Sequence, residues 1–421
     1  MKRLSRIVDE ALVKRLAYSS RLFSACSVNG VITKVAFILG LALIDSSLAI
    51  SSDSINGKTT VEEDRLQVLK SAELEFSKQL DLLSKTLAPK IKRLETEDGL
   101  RQFARSEGHR LWQNAQETDK REAVIDDRPL YWKRLVAAQM IRGHARDLRL
   151  ELGEIKRLLA SFEWASRGQG DIVWTVSGAR RILITGFDPF SLDQHIGQSN
   201  PSGAAALTLD GRVFEVDDGL VEINAAIFPV RYTDFDAGIF EQWLGPHFIN
   251  GSIDLFVTIS MGRDQFDLER FPGRRRSSSA LGNLREHTGG TATTPKPGLL
   301  DGRPLQGPEF VEFSLPVVQM LRAEGDYKIR DNHKVTTLEK GTFEATSLAS
   351  LRNQTAVQGS GGGYLSNEIS YRSIRLANEL GVMLPMGHIH TPSIQGQAPK
   401  EVASIVAQVR NMLLLAVSPQ P

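Results

Sequence analysis

Arg181-Ile182-Leu183-Ile184-Thr185-Gly186 is a short apolar run that ends on a glycine. An unbroken run of this length suits a parallel strand buried on both faces, and the glycine suits the loop it feeds. Asn224 to Val230 and Asp254 to Ser260 read the same way. Around them lie stretches of helical period: Asp234 to Leu244, Phe310 to Ala323, Asn367 to Leu380 and Pro399 to Ala416. Strands alternating with helices predict an α/β domain whose mostly parallel sheet is covered on both faces, a three-layer α/β/α sandwich. Two stretches read as irregular, Gly273 to Pro308 and Glu324 to Asn353.

Upstream the grammar is different. From Thr59 to Ser166 apolar residues recur at spacings of three and four, beginning with Leu66, Leu69, Leu80, Leu83 and Leu87. That is the amphipathic helical period, and no strand-like alternation interrupts it. Pro89 is expected to break the first helix, and three more are expected over Thr96 to Gln116, Pro129 to Leu150 and Leu152 to Trp164. Ser166 to Asp171 is a plausible boundary. The division is therefore 1–49, 50–170 (all-α) and 171–421 (α/β).

The first of these segments carries a targeting pattern. Lys34 precedes an apolar run, Val35 to Ile44, followed by Ser47-Leu48-Ala49. A basic residue, about ten apolar residues and a small-x-small site make a secretory signal peptide. A membrane span needs about 20 apolar residues, so stable insertion after cleavage is not expected. The chain is expected to be exported, periplasmic or secreted, and cytoplasmic if this run is not a signal peptide. Cys26 is the only cysteine. Cleavage after Ala49 leaves none, which rules out a disulfide framework and a thiol nucleophile in the mature chain. Fifty-one basic side chains against 50 acidic ones leave no field that points to nucleic acid.

Chemistry gathers at three places. Val357-Gln-Gly-Ser-Gly-Gly-Gly-Tyr-Leu-Ser366-Asn367 is a glycine-rich turn running into a helix. Glycines at 359, 361, 362 and 363 permit positive φ angles and close approach, and a helix N-terminus offers N–H donors to an oxyanion. Ser366 is thus a nucleophile or an N-cap, and the residues alone leave both open. His388 and His390 in Met386-Gly-His-Ile-His share one face of a strand, as metal ligands, a catalytic base or structural histidines. Glu269, in a polar loop with Asp267 and Arg270, is either the carboxylate that orients an imidazole or half of an exposed ion pair.

Taken together and in order, these patterns resemble the pyroglutamyl peptidase I family. The resemblance covers residues 181 to 415. It is carried by Thr185 to Phe190, Asn200-Pro201-Ser202, Phe228-Pro229-Val230, Gly262-Arg263-x5-Glu269-Arg270, the glycine turn, and Gly387-His-Ile-His390-Thr-Pro392. It implies a catalytic trio of Ser366, His390 and Glu269, with Phe187 and Phe190 lining the pocket for a pyroglutamyl ring. Two departures stand out. Ser366 occupies the position of the family's nucleophilic cysteine, and Phe271 to Ser279 does not follow the family's pattern.

The expected function is hydrolysis of the bond after an N-terminal pyroglutamyl or similar residue. The expected partner is a peptide with a blocked N-terminus, with no cofactor, no metal and no nucleic acid, in a possible homo-oligomer. The alternative is an inactive family member that binds such peptides or acts as an interaction protein.

Overall fold

The computed structural model describes residues 59–418, apart from 73, 75, 123, 124 and the side chains of 118–122. The expected signal peptide lies outside the described residues. Five helices come first: α1 (Val61–Ser71), α2 (Ser77–Ile91), α3 (Glu97–Glu122), α4 (Arg128–Asp147) and α5 (Leu152–Ser166). The first starts at a capping box in which Thr60 and Glu63 satisfy each other's backbone N–H groups. Pro89 does not break the helix it sits in. It lies in the last turn of α2, which runs two residues further, and the chain bends earlier, between Ser71 and Ser77. α4 opens with proline in its first turn, where a missing N–H removes no helical bond.

The α/β body then follows as β1 (Arg180–Phe187), α6 (Pro201–Leu209), β2 (Arg212–Val216), β3 (Gly219–Phe228), α7 (Tyr232–Asp236), α8 (Ile239–Ile249), β4 (Leu255–Met261) and β5 (Phe266–Glu269). The helix expected over Asp234 to Leu244 is cut in two at Gly238, whose φ is +78°. Two small ribbons pair β6 (Arg275–Arg276) with β7 (Lys296–Pro297) and β8 (Leu299–Leu300) with β9 (Arg303–Pro304). The helix expected over Phe310 to Ala323 shrinks to α9 (Val317–Met320). Pro316 precedes it, and the chain before that proline donates to Arg270 and Pro272 carbonyls instead.

Next come β10 (Ile329–Asn332), β11 (Lys334–Thr337), β12 (Gly341–Glu344), β13 (Ala356–Gln358), α10 (Leu365–Leu380), β14 (Met386–Thr391) and α11 (Pro399–Val417). The stretch expected to be irregular after Glu324 is thus partly sheet. β11, β12 and β13 form a separate three-stranded sheet over their own small core, centred on Phe271, Phe310 and Val335.

The main sheet has seven strands in the order β10-β5-β14-β4-β1-β3-β2. β1 is parallel to β3 and β4, β4 to β14, and β5 to β10; β14–β5 and β2–β3 are antiparallel. Helices cover both sides: α6 packs with α11, and α8 with α10. This is the mostly parallel α/β architecture expected, preceded by the all-α region. That region is no separate bead, because its core is continuous with that of the sheet. Asp210, which caps α6, accepts Trp112 Nε1 at 3.0 Å and Gln116 Nε2 at 2.7 Å from α3, and Ala225 N at 2.6 Å from β3. No helix among the described residues is long and apolar enough to cross a membrane.

Candidate active site

Parallel strands end together, so β4, β14 and the loops they feed bring the sequence motifs to one edge of the sheet. His390 on β14 lies in register with Ser260 on β4, and on the other side with Asp267 on β5. Glu269 closes β5, rather than sitting in a loop. Its Oε1 is 2.5 Å from His390 Nδ1, and Asn332 Nδ2 donates to its Oε2 at 2.8 Å. Both partners are buried, the histidine 9% exposed and the glutamate 1%. Burial pushes the Glu269 carboxyl above the usual range, against the pull of His390 and with Asp267 adding to the rise. As a carboxylate it can only accept, so His390 Nδ1 carries the proton and Nε2 is left as the acceptor. This is how a carboxylate sets the tautomer of a general base.

Asn332 extends the site. Its Nδ2 also donates to Ser360 O at 3.1 Å, which ties Glu269 to the glycine turn. Of the four glycines there, only Gly362 has a positive φ, +86°. Gly359 is glycine for another reason: a Cβ would collide with the Asn367 side chain and the Gly273 backbone. Asn367 grips that backbone from both sides, accepting Gly273 N at 2.9 Å and donating to Gly273 O at 2.6 Å.

Ser366 is not the N-cap of α10. Tyr364 holds that place, and Ser366 is the second helical residue. Its half-buried hydroxyl donates to Gly361 O at 3.2 Å. No hydrogen bond joins it to His390 among the described residues, so the structure pairs Glu269 with His390 and leaves Ser366 engaged with its own turn. In the helix beneath it, Glu368 accepts Arg276 Nε at 2.6 Å on Oε2 and Arg372 Nε at 2.8 Å on Oε1. Burial alone would raise the Glu368 carboxyl; the two guanidiniums hold it at about 2.

The two phenylalanines part company. Phe187 is buried and stacks on Phe235, centroids 6.1 Å apart. Phe190 is half-buried and meets Tyr364, the N-cap of the Ser366 helix, at 6.4 Å. Only Phe190 therefore reaches the glycine turn directly.

His388 has a role that the sequence did not reveal. Thr258 Oγ1 donates to Gly387 O at 3.3 Å and lies 2.8 Å from His388 Nδ1. The threonine must then accept from Nδ1–H, which leaves Nε2 to take the proton of Ser260 Oγ, 2.8 Å away. The ring is fully buried and stands edge-on to His390, centroids 4.7 Å apart. Burial, and then His390, hold its imidazole well below the usual range. Both ring nitrogens are thus occupied. Among the described residues no group of three or more His, Cys, Asp or Glu is placed to hold a metal ion.

Comparison with known proteins fixes the family. Residues 47–163 match the model of the PA0049 N-terminal domain, and residues 181–301 and 331–395 that of the PA0049 C-terminal domain. The uncharacterized protein PA0049 of Pseudomonas aeruginosa is 31% identical to this chain, with 68% of each covered. The chain belongs to the PA0049 family. Among solved structures, a Glu-to-Ile mutant of pyrrolidone carboxyl peptidase from the hyperthermophile Pyrococcus furiosus is similar to it. It is 18% identical, covers 56% of this chain and 98% of its own, and superposes with a TM-score of 0.39. Another structure of that enzyme, described together with its Cys-free mutant, gives 17% identity, the same coverage and the same score. The PA0049 family thus joins the helical region and the α/β body in one chain.

Proposed function

We propose that this protein is a pyroglutamyl-peptidase-like hydrolase, exported from the cytoplasm, that cleaves after an N-terminal pyroglutamyl or similar residue. The observation that carries this is the 2.5 Å contact of Glu269 with His390, which leaves Nε2 of a buried histidine as a base at the strand ends. The motif resemblance over residues 181 to 415 supplies the substrate class. In this mechanism Ser366 leaves Gly361 O and gives its proton to His390 Nε2 as its oxygen attacks the scissile carbonyl. The N-terminus of α10 receives the oxyanion, and His390 returns the proton to the leaving amine. Water then attacks the acyl-serine by the same base, restoring Ser366.

The second reading is an inactive binder of blocked peptides. One observation favours it: the Ser366 hydroxyl bonds to Gly361 O and not to the base. Incubating the purified protein with the pyroglutamyl amide of aminomethylcoumarin separates the two. Release of the fluorophore, lost in Ser366→Ala, supports hydrolysis; binding of the substrate without release sinks it.

A further inference from the structure

The loop that follows β1, which ends at Phe187, carries Asp188 and Phe190, and its charge is answered from the helical region. Asp188, 2% exposed, accepts Arg134 Nη1 of α4 at 3.0 Å and also Arg167 Nη1, just beyond α5. Arg134 spans three partners with one guanidinium, reaching Glu163 Oε2 at 2.8 Å and Ser166 Oγ at 3.1 Å. The far end of the loop is held in the same way. Asp127, at the start of α4, accepts Ser199 Oγ at 2.6 Å and Asn200 N at 3.0 Å, while Asn200 Nδ2 closes back on Asp188 O at 2.9 Å. Buried ion pairs of this kind add little net stability, but removing one partner leaves a buried charge uncompensated.

We propose that Arg134, with Arg167, is a positioning residue for the wall that receives the lactam ring, so that the helical region is part of the recognition apparatus. This rests on the hydrolase reading for the identity of the ligand. The geometry explains the route: Arg134 on one carboxylate oxygen of Asp188 and Arg167 on the other set the backbone two residues before Phe190, and Phe190 meets Tyr364 at the head of the Ser366 helix. Loosening that pairing displaces one wall of the site and leaves the Glu269–His390 pair, on β5 and β14, untouched.

The test uses the full chain with Arg134→Lys, which keeps the charge and loses the fork, and Asp188→Asn, which keeps the shape. Two readouts are needed: backbone hydrogen exchange, and the affinity for free 5-oxoproline measured by calorimetry. We expect exchange across residues 188–200 to quicken about tenfold while β5 and β14 keep wild-type protection. The affinity for 5-oxoproline should fall roughly tenfold. Unchanged affinity in both variants overturns the proposal, and so does exchange that rises evenly through the whole chain, the mark of a purely structural role. A wild-type protein that does not bind 5-oxoproline overturns it too. Wild-type binding without cleavage of any pyroglutamyl amide sinks the hydrolase reading alone and leaves this one standing.

Discussion

His390 Nδ1 and Glu269 Oε1 stand 2.5 Å apart across two antiparallel strands, although 121 residues of chain separate them. Glu269→Gln keeps the volume and removes the charge that sets the tautomer. Turnover of a pyroglutamyl amide should drop roughly 10²- to 10⁴-fold, with KM little changed. Steady-state kinetics on the purified variant decide this; wild-type turnover would remove Glu269 from the mechanism.

The same pair fixes the acid limb of the pH profile. Burial raises the Glu269 carboxyl, and once protonated it no longer supplies the charge that holds His390 Nδ1–H and stabilises the imidazolium. The rate should therefore fall with decreasing pH, starting above the value of a free glutamate, about 4.3. A profile of kcat/KM that stays flat down to that point contradicts this assignment.

Ser366 offers a sharper experiment. Ser366→Ala should abolish turnover and leave ligand binding nearly intact, because only the covalent step is lost. Ser366→Cys should raise the rate above wild type if the glycine turn, histidine and glutamate form a site suited to sulfur. A slower or unchanged cysteine variant would mark a true serine hydrolase.

His388 should stay neutral wherever the fold survives. Its two nitrogens are taken by Thr258 and Ser260, and burial opposes its charged form. Nitrogen-resolved NMR between pH 5 and 8 should show one fixed tautomer, protonated on Nδ1. Thr258→Val removes the group that holds that proton, and the tautomer should then become mixed. A His388 resonance that titrates near pH 6.5 in the wild type would refute the assignment.

Asp234 makes stability fall as pH rises from about 4 to about 7. Burial pushes it up to about 7, against Arg231 and Arg167, and it lines a small cavity with Glu62, Glu63 and Glu163. Its folded value lies above its unfolded one of about 3.9, so its contribution is fully present below that pH and is lost as pH rises through about 7. Asp234→Asn should stabilise the protein at pH 8 by on the order of 1–2 kcal/mol and flatten the slope between pH 4 and 8. Thermal melts at both ends of the range test this, and an unchanged slope contradicts it.

The elements legible in the sequence are those whose burial is local. The runs at Arg181, Asn224 and Asp254 read as strands because sheet and helices cover both faces, and α10 reads from its apolar side. β5 and β10 escape such reading, because Asp267, Arg330 and Asp331 interrupt any apolar run. Asp267, buried between β10 and β14, is paired with Arg330, 63 residues away, whose Nε lies 2.8 Å from it. Asn332 was hidden for the same reason, and so were Arg134 and Arg167, since a charge inside a helix gives no hint of a partner in another layer. That the glycine turn leads into a helix and that His388 and His390 share a strand face could be read from sequence. Where the Ser366 hydroxyl points could not, because that depends on Gly361 O and on the backbone of one turn.

β14 is the last strand among the described residues, yet it lies between β4 and β5 near the middle of the sheet. On a ribosome making about 5–20 residues per second, roughly 6 to 24 seconds pass between the synthesis of Glu269 and that of His390. Through that interval β4 and β5 each present an unpaired edge to whatever is nearby. The nascent chain must be kept from pairing with its neighbours until β14 arrives, and only then does the histidine meet its carboxylate.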